Sequence, residues 1–252
     1  MPNSAMYKKG TYRIVENRPL TSNVYRMQVE GDTQWIVRPG QFVNIEIEGF
    51  YLRRPISICD YSDNTITLIY KVVGRGTEAM SHMQAGRELD MLTGLGNGFD
   101  PDVECRRPLL VGGGVGVPPL YRLAKDLIAR GRKVSVVLGF NTAAEIFYAD
   151  TFREAGADVY VSTADGSTGV KGFVTDAIRE AGIEFDYFYA CGPMPMLRAL
   201  SLAYPAVQGE LSFEERMGCG FGACMGCSCK TLAGNKRICK DGPVMKRDEI
   251  IW

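Results

Sequence analysis

The sequence predicts a multi-domain β plus α/β protein: an antiparallel β-barrel, a doubly wound parallel α/β domain and a small cysteine-rich module. Between residues 10 and 90, short segments alternate apolar and polar side chains with period two, which is typical of antiparallel strands. From Arg107 onward, buried strands alternate with helical segments, which favours a parallel sheet. Four cysteines follow closely from Cys219. We place the domain limits at 1–101, 102–210 and 211–252.

The composition is that of an ordinary globular protein. The 252 residues are 46% hydrophobic and 23% charged, enough for two domains and an appendage. Because the formal net charge is zero, no field attracts nucleic acid, and we expect no nucleic-acid partner. No apolar run approaches the roughly 18 residues of a membrane span, and the start lacks an apolar secretory segment. We therefore expect a cytoplasmic protein without membrane insertion.

The chemistry of this chain should belong to cofactors rather than to side chains alone. His82 is the single histidine, which makes a histidine-based catalytic triad or metal site a poor hypothesis. We expect His82 to be a surface or packing residue near the end of a short helix.

The first domain is predicted as a barrel from five regularly spaced strands, at residues 11–18, 24–31, 42–49, 54–60 and 65–73. A glycine turn, Gly74-Arg75-Gly76-Thr77, follows the last of them and precedes the short helix. Backbone N–H groups at such a strand-to-helix turn form a phosphate cradle. An ordinary turn is the alternative interpretation.

The second domain opens with strand, glycine loop and helix. Gly112–Gly116 differs from the G-x-G-x-x-G fingerprint, but a tight turn with close backbone approach to a dinucleotide is the same mechanism. A loop that serves packing alone is the alternative. Asp165 follows the third strand of this domain, where a carboxylate would bind ribose hydroxyls and repel a 2′-phosphate. We therefore predict NAD rather than NADP, an argument that nearby Lys171 weakens.

The cysteine-rich end has the spacing C-x4-C-x2-C, with a fourth thiol twelve positions later. This spacing is that of plant-type [2Fe–2S] centres. Glycines between the thiols permit a close wrap, and a predicted turn at 233–235 would return the fourth cysteine to the others. The predicted cluster ligands are Cys219, Cys224, Cys227 and Cys239.

Three alternatives to this ligand set stay open. Cys229 is another candidate for the fourth ligand, although we expect it to be a bystander. A structural zinc site also uses four cysteines, but zinc ribbons usually have two C-x2-C pairs and this chain has one. Disulfides are the third alternative, and they do not suit an intracellular redox protein.

Two motifs in the first domain resemble those of the ferredoxin-NADP reductase superfamily: the strand Arg54-Pro55-Ile56-Ser57 and the turn Gly76-Thr77. The resemblance implies that the barrel binds FAD. Arg54 would hold the pyrophosphate and Ser57, a catalytic candidate, would lie beside flavin N5. The family often has Tyr at the position of Ile56. The cofactor-binding set implied for this domain is Arg54, Pro55, Ile56, Ser57, Lys71, Gly76 and Thr77.

The segments GGGVGVPPL and YACGPMPML look like the two pyridine-nucleotide motifs of the same superfamily. The resemblance implies that the glycine loop lines the NAD pyrophosphate and that Cys191 lies on the nicotinamide side, as a second catalytic candidate. Cys191 is equally interpreted as a buried thiol at a strand end, and no histidine is available to activate it as a nucleophile. The implied NAD-binding set is Gly113, Gly114, Gly116, Asp165, Cys191, Gly192 and Pro193.

The order of FAD barrel, NAD domain and [2Fe–2S] module resembles the family of electron-transfer subunits of two-subunit, NAD-dependent dihydroorotate dehydrogenases. EERMGCGFGACMGC and CKDGPV carry the most specific part of the resemblance. It implies an FMN-containing catalytic partner that oxidises dihydroorotate in pyrimidine (UMP) synthesis, in a heterotetramer of two copies of each subunit. Electrons would pass through [2Fe–2S] and FAD to NAD⁺.

Two other functions are weighed against this one. The first is a flavin/[2Fe–2S] subunit of a sulfide dehydrogenase or of an electron-bifurcating NAD(P)H-ferredoxin oxidoreductase. Cys219 favours the dihydroorotate branch, because some of those relatives have an Asp ligand there. The second function, from another class, is a sensor that binds a nucleotide, is stabilised by a structural zinc ion and catalyses no reaction.

Overall fold

A computed structural model describes residues 7–252. Its first unit is a closed antiparallel barrel in the order β1-β2-β5-β4-β3-β6, which confirms the predicted barrel. Its strands are β1 (Lys8–Pro19), β2 (Val24–Glu30), β3 (Phe42–Ile45), β4 (Arg54–Tyr61), β5 (Thr65–Lys71) and β6 (Glu88–Leu95). The helix α1 (Arg75–Ser81) follows β5 and ends just before His82.

The closing strand β6 was not among the predicted strands. Its later residues are buried on both faces, because Leu89 and Met91 face the barrel interior while Leu92 and Leu95 pack into the core shared with the rest of the chain. Burial on both sides removes the alternation that reveals a strand in sequence.

The second unit is a sheet of seven strands in the order β10-β9-β8-β7-β11-β12-β15, parallel except for β15. Its strands are β7 (Pro108–Gly113), β8 (Ser135–Phe140), β9 (Asp158–Thr163), β10 (Val170–Lys171), β11 (Tyr187–Cys191), β12 (Gly209–Ser212) and β15 (Val244–Lys246). The helices are α2 (Pro118–Ala129), α3 (Ala149–Glu154), α4 (Val174–Glu180) and α5 (Met194–Ala203).

Helices cover both faces of this sheet. Leu110 of β7 packs with α2 and α3 on one face, and Leu109 and Val111 pack with α4 and α5 on the other. The predicted doubly wound domain is therefore confirmed. From β7 the chain runs outward through β8 and β9 to β10 and then returns to β11 on the other side of β7, so the topological switch point lies between β7 and β11.

Three elements of this sheet differ from the predictions. α3 begins at Ala149 rather than at residue 146, because Tyr148 has a left-handed φ of 65°. The two-residue β10 was not predicted. β12 lies where a linker was predicted, and it carries the buried polar residues Glu210 and Ser212, which conceal it from a hydrophobicity pattern. β12 also crosses the predicted limit at 210/211, and the domain limits stay a prediction.

The C-terminal module contains a hairpin of β13 (Ser228–Thr231) and β14 (Gly234–Arg237), with its turn at Leu232-Ala233. The module was expected to lean on the nucleotide domain, and β15 does join β12. It also contacts the barrel, where Asn97 Nδ2 donates to Val244 O at 2.7 Å. No helix within residues 7–252 has the length and apolar character needed to cross a membrane.

Candidate functional site

A cleft of about 610 Å³ opens at the switch point, where the carboxyl ends of β7, β8, β9 and β11 meet. Parallel sheets bind ligands at this place because the strand order reverses and leaves a crevice. Lys71 reaches the cleft from the barrel, so both units contribute to it. The predicted residues that line it are Lys71, Gly113, Gly114, Gly116, Gly192 and Pro193.

The glycine loop is held by close backbone packing. A Cβ atom on Gly116 would overlap the carbonyl of Cys191, and one on Gly113 would lie 2.6 Å from Met196 Sδ and 3.0 Å from Pro193 Cδ. A side chain at either position therefore has no room. The loop runs directly into α2, whose first two residues, Pro118 and Pro119, have no N–H, while the Leu120 N–H donates to Val117 O at 3.2 Å. This packing suits both a loop that binds a dinucleotide and a loop that serves packing alone. The position of the loop at the switch point favours the dinucleotide site, because parallel sheets bind dinucleotides there.

Cys191 ends β11 and is 1% exposed. It does not line the cleft, whereas the next residue, Gly192, does. Burial raises the pKa of the Cys191 thiol, so the thiol stays protonated and is a poor nucleophile. The backbone carbonyl of Cys191, packed against Gly116, is the part of this residue that shapes the site.

Asp165 lies on the exposed rim of the cleft rather than in its lining, where Ala164 stands instead. Its Oδ1 accepts hydrogen bonds from the Ser167 hydroxyl at 2.6 Å and from the Ser167 N–H at 2.9 Å. These bonds lower the pKa of Asp165 and keep it charged. The rim therefore carries a fixed negative charge.

Several cleft residues were not found from the sequence. Ser162 is fully buried near the end of β9, and its hydroxyl has no hydrogen-bond partner in residues 7–252. The rule that parallel strands bind ligands at their carboxyl ends would have identified it. Glu214 reaches the cleft just after β12, where its side chain is exposed. No sequence signal marked Glu214, because β12 was taken for a linker.

The structure joins Arg54 to the glycine turn of the barrel. A Cβ atom on Gly76 would overlap the Arg54 guanidinium, and Thr77 Oγ1 closes the turn by accepting the Val73 N–H at 3.0 Å. No carboxylate in residues 7–252 forms an ion pair with Arg54. A guanidinium free of carboxylates beside a glycine turn suits a phosphate group.

The predicted flavin strand is β4, which lies between β5 and β3 in the closed barrel. Pro55, Ile56 and Ser57 are half-buried on β4, and β3 pairs with this stretch. In the pairing register, Ser57 lies opposite Phe42.

The cysteine loop arranges its thiols in two pairs. Cys219 Sγ accepts the backbone N–H groups of Ala223 at 3.2 Å and Cys224 at 3.4 Å, and it interacts with the Cys224 thiol. Cys239 donates its N–H to Cys227 Sγ at 3.4 Å, and these two thiols also interact. Two pairs of thiols fit a cluster of two irons with two ligands each, whereas a zinc ion needs four around one centre.

The electrostatics of the loop favour a thiolate at Cys219. Burial opposes its ionisation, but the N–H donors of the loop outweigh burial and lower the pKa of Cys219 to about 6. Cys229 lies apart from the pairs, with its sulfur 3.9 Å from Met245 Sδ. No three or more His, Cys, Asp or Glu side chains between residues 7 and 252 surround one point as ligands of a single ion.

Family models match two parts of the chain. The iron–sulfur cluster binding domain of dihydroorotate dehydrogenase B matches residues 214–251, and the oxidoreductase NAD-binding domain matches residues 110–201. The dihydroorotate dehydrogenase B (NAD(+)) electron transfer subunit of Geobacillus sp. (strain WCH70) is 45% identical, covering 98% of this chain and 100% of that protein. The chain belongs to this family of electron transfer subunits. The Lysinibacillus sphaericus (strain C3-41) member is 43% identical, covering 97% and 99%.

Solved structures share the fold of this electron transfer subunit family. The NADH-dependent reduced ferredoxin-NADP oxidoreductase, studied for flavin-based electron bifurcation, has a TM-score of 0.86 at 31% identity, covering 100% of this chain and 92% of that one. A ferredoxin NADP⁺ reductase from Neisseria gonorrhoeae with bound FAD and NADP has a TM-score of 0.67 at 17% identity, covering 79% and 91%. The second likeness shows the fold alone.

Proposed function

We propose that this chain carries electrons from an FMN-containing dihydroorotate dehydrogenase catalytic subunit to NAD⁺, in the synthesis of pyrimidines. The observation that carries the proposal is the arrangement of paired cysteines against the barrel, beside the strand with the flavin motif. When bound, a [2Fe–2S] cluster carries single electrons, nicotinamide accepts electron pairs, and FAD exchanges both. A chain that holds all three connects a one-electron donor to NAD⁺.

The protein's own residues bind and orient these groups. Arg54 and the turn at Gly76-Thr77 hold the FAD pyrophosphate, while Pro55 and Ser57 line the flavin ring. The side chain of Ile56 lies on the opposite face of β4 and packs against the barrel core. The glycine loop and Gly192-Pro193 hold NAD in the cleft, with Cys191 shaping the loop through its carbonyl. Cys219, Cys224, Cys227 and Cys239 hold the cluster.

The phosphate role of Arg54 is tested by Arg54→Ala. The change removes a charge-assisted contact of about 1.5–3 kcal/mol, so FAD should bind about tenfold or more weakly. Equilibrium dialysis of FAD against the purified protein measures the affinity. Arg18→Ala is the matched control, since Arg18 is an exposed barrel arginine that pairs with Glu16. Unchanged FAD affinity in Arg54→Ala would show that another group holds the pyrophosphate.

A second subunit is required because residues 7–252 offer one proposed flavin site, and that site serves the NAD cleft. Oxidising a saturated C–C bond needs a base and a flavin on opposite sides of the substrate. We therefore expect the purified chain to reduce dyes with NADH but to form no NADH from dihydroorotate and NAD⁺. Adding an FMN-containing catalytic subunit should start NADH production. Sustained NADH production by the chain alone would contradict the proposal.

The assembly is proposed as a cytoplasmic heterotetramer with two copies of each subunit. Light scattering of the complex, copurified from its host, gives the mass. A second candidate function is a subunit of an electron-bifurcating oxidoreductase, favoured by the full-length likeness to the NADH-dependent reduced ferredoxin-NADP oxidoreductase. FMN and dihydroorotate oxidation in the copurified partner support the first function, whereas ferredoxin reduction supports the second.

A further inference from the structure

Asn44 is a buried polar residue that joins the barrel to the cysteine loop. It lies on β3, is 1% exposed, and donates from Nδ2 to the backbone O of Cys219 at 3.1 Å. The two residues are separated by 175 positions in sequence. The contact is close enough that a Cβ atom on Gly220, whose φ is +80°, would overlap Asn44 Nδ2. The glycine therefore permits the loop to approach this amide.

The pairing of β3 with β4 places Asn44 beside the flavin motif. Asn44 is directly opposite Pro55, and Phe42 is directly opposite Ser57. Opposed residues of an antiparallel pair share a face, and residues two apart along a strand share a face as well. Asn44, Pro55 and Ser57 thus stand on one face of the barrel wall. Val43 and Ile45 take the other face and fill the barrel core.

The amide of Asn44 is also incompletely satisfied. Its Oδ1 is buried and has no hydrogen-bond partner in residues 7–252. A buried unpaired amide oxygen is costly, so a packing role alone would be served better by an apolar side chain. The cost is consistent with selection for the donor Nδ2, which holds a cluster ligand.

We propose that Asn44 is a positioning residue that fixes the Cys219 end of the cluster loop against the flavin strand pair. The inference rests on the proposed function, because it assigns FAD to β4 and the cluster to the loop. Electron transfer depends steeply on the separation of the two centres. Asn44 sets that separation through one hydrogen bond and does not line the NAD cleft.

The test uses Asn44→Ala and Asn44→Asp in the cluster-loaded and FAD-loaded chain. Asp keeps the shape of Asn but replaces the donor with an acceptor facing the Cys219 carbonyl. Losing one such hydrogen bond should raise amide hydrogen exchange at residues 220–224 about five- to tenfold. Iron and FAD contents should match the parent. After mixing with NADH, the flavin should be reduced at the parental rate while the cluster is reduced more slowly, with an altered electron paramagnetic resonance spectrum.

Asn97→Ala is the matched control, because Asn97 also joins the barrel to the C-terminal module, through Val244 and away from Cys219. It should raise exchange near Val244 and leave the spectrum and rate of the cluster unchanged. Parental cluster kinetics and spectrum in both Asn44 variants would overturn the positioning role. Loss of iron from Asn44→Ala would overturn it too, and would assign Asn44 to cluster retention. Dihydroorotate enters none of these measurements, so the partner's identity is tested separately.

Discussion

The glycine loop at residues 112–116 and the cysteine loop at residues 219–227 are both wrapped tightly, but different forces hold them. In the glycine loop, Gly116 is packed against the backbone of Cys191. In the cysteine loop, Cys224 and Met225 are exposed, and Met225 adopts a left-handed φ of 60°, which is strained for a residue with a side chain. Around Cys224, hydrogen bonds to the Cys219 thiol take the place of packing.

This difference separates a site built by the protein from a site completed by its ligand. The shape of the NAD cleft is set by packing, so the cleft exists before any nucleotide binds. The shape of the cysteine loop depends on thiolates that a cluster would join, so its stability is linked to cluster binding. Substitutions that affect one loop should leave the other intact.

Cys224→Ser should have the largest effect. It removes one of the four proposed cluster ligands, so we expect loss of the iron and increased protease sensitivity of the C-terminal module, while NADH still binds in the cleft. Iron and acid-labile sulfide analysis with limited proteolysis measures this. Cys229→Ser is the control and should keep its iron. Loss of iron from Cys229→Ser but not from Cys224→Ser would contradict the ligand assignment.

Gly116→Ala tests the glycine loop and should leave the cysteine loop unchanged. The added methyl overlaps the Cys191 carbonyl, a backbone group that cannot move freely, so we expect about 3 kcal/mol of destabilisation and a higher KM for NADH. The cluster spectrum should not change. Gly182→Ala is the control, because the added methyl meets no atom there and only the φ of +58° strains the backbone. It should lower stability and leave KM unaltered. A parental KM in Gly116→Ala would show that the loop does not shape the cleft.

Glu210 lies on β12, which pairs with β11 and precedes the cysteine loop in sequence. Burial raises its pKa from 4.5 to about 7, although the Asp100 N–H donates to it. The folded state therefore holds this proton more tightly than the unfolded state. The resulting stability is complete below pH 4.5 and is lost as the pH rises through about 7.

Glu210→Gln should remove that loss and be more stable than the parent by roughly 2–3 kcal/mol above pH 7, with no advantage at pH 4. Urea denaturation across this pH range measures the difference. Glu184→Gln, at an exposed residue paired with Arg107, should show no such dependence. Parallel stability curves for Glu210→Gln and the parent would mean that Glu210 is charged in the folded protein.

Asp165→Ala should have the smallest effect, at the rim of the cleft. Because this carboxylate is exposed and screened by salt, we expect the preference for NADH over NADPH to fall by less than about tenfold. The ratio of kcat/KM for the two nucleotides in dye reduction measures it. Asp158→Ala, at the opposite end of β9, is the control. An unchanged preference in Asp165→Ala would mean that another feature excludes the 2′-phosphate.

The elements predicted correctly from the sequence are those that a local pattern of side chains reveals. The helices and central strands of the nucleotide domain are amphipathic or continuously apolar, and the cysteine spacing is itself a local signal. β6 and β12 were missed because burial on both faces, or polar residues within a strand, removes that periodicity. Asn44 was missed for a different reason. Its partner, Cys219, is brought to it only by the folded barrel, so no neighbouring residue indicates its contact.

The last strand of the sheet has a consequence for how the protein is made. β15 covers the edge of β12, yet the whole cysteine-rich segment separates the two strands in sequence. During synthesis, the edge of β12 at residues 210–212 therefore stays open until that segment and β15 have emerged. Such an edge pairs readily with the strands of other chains. A protein shortened by its final ten residues should keep every predicted cofactor-binding residue and still aggregate as it is translated.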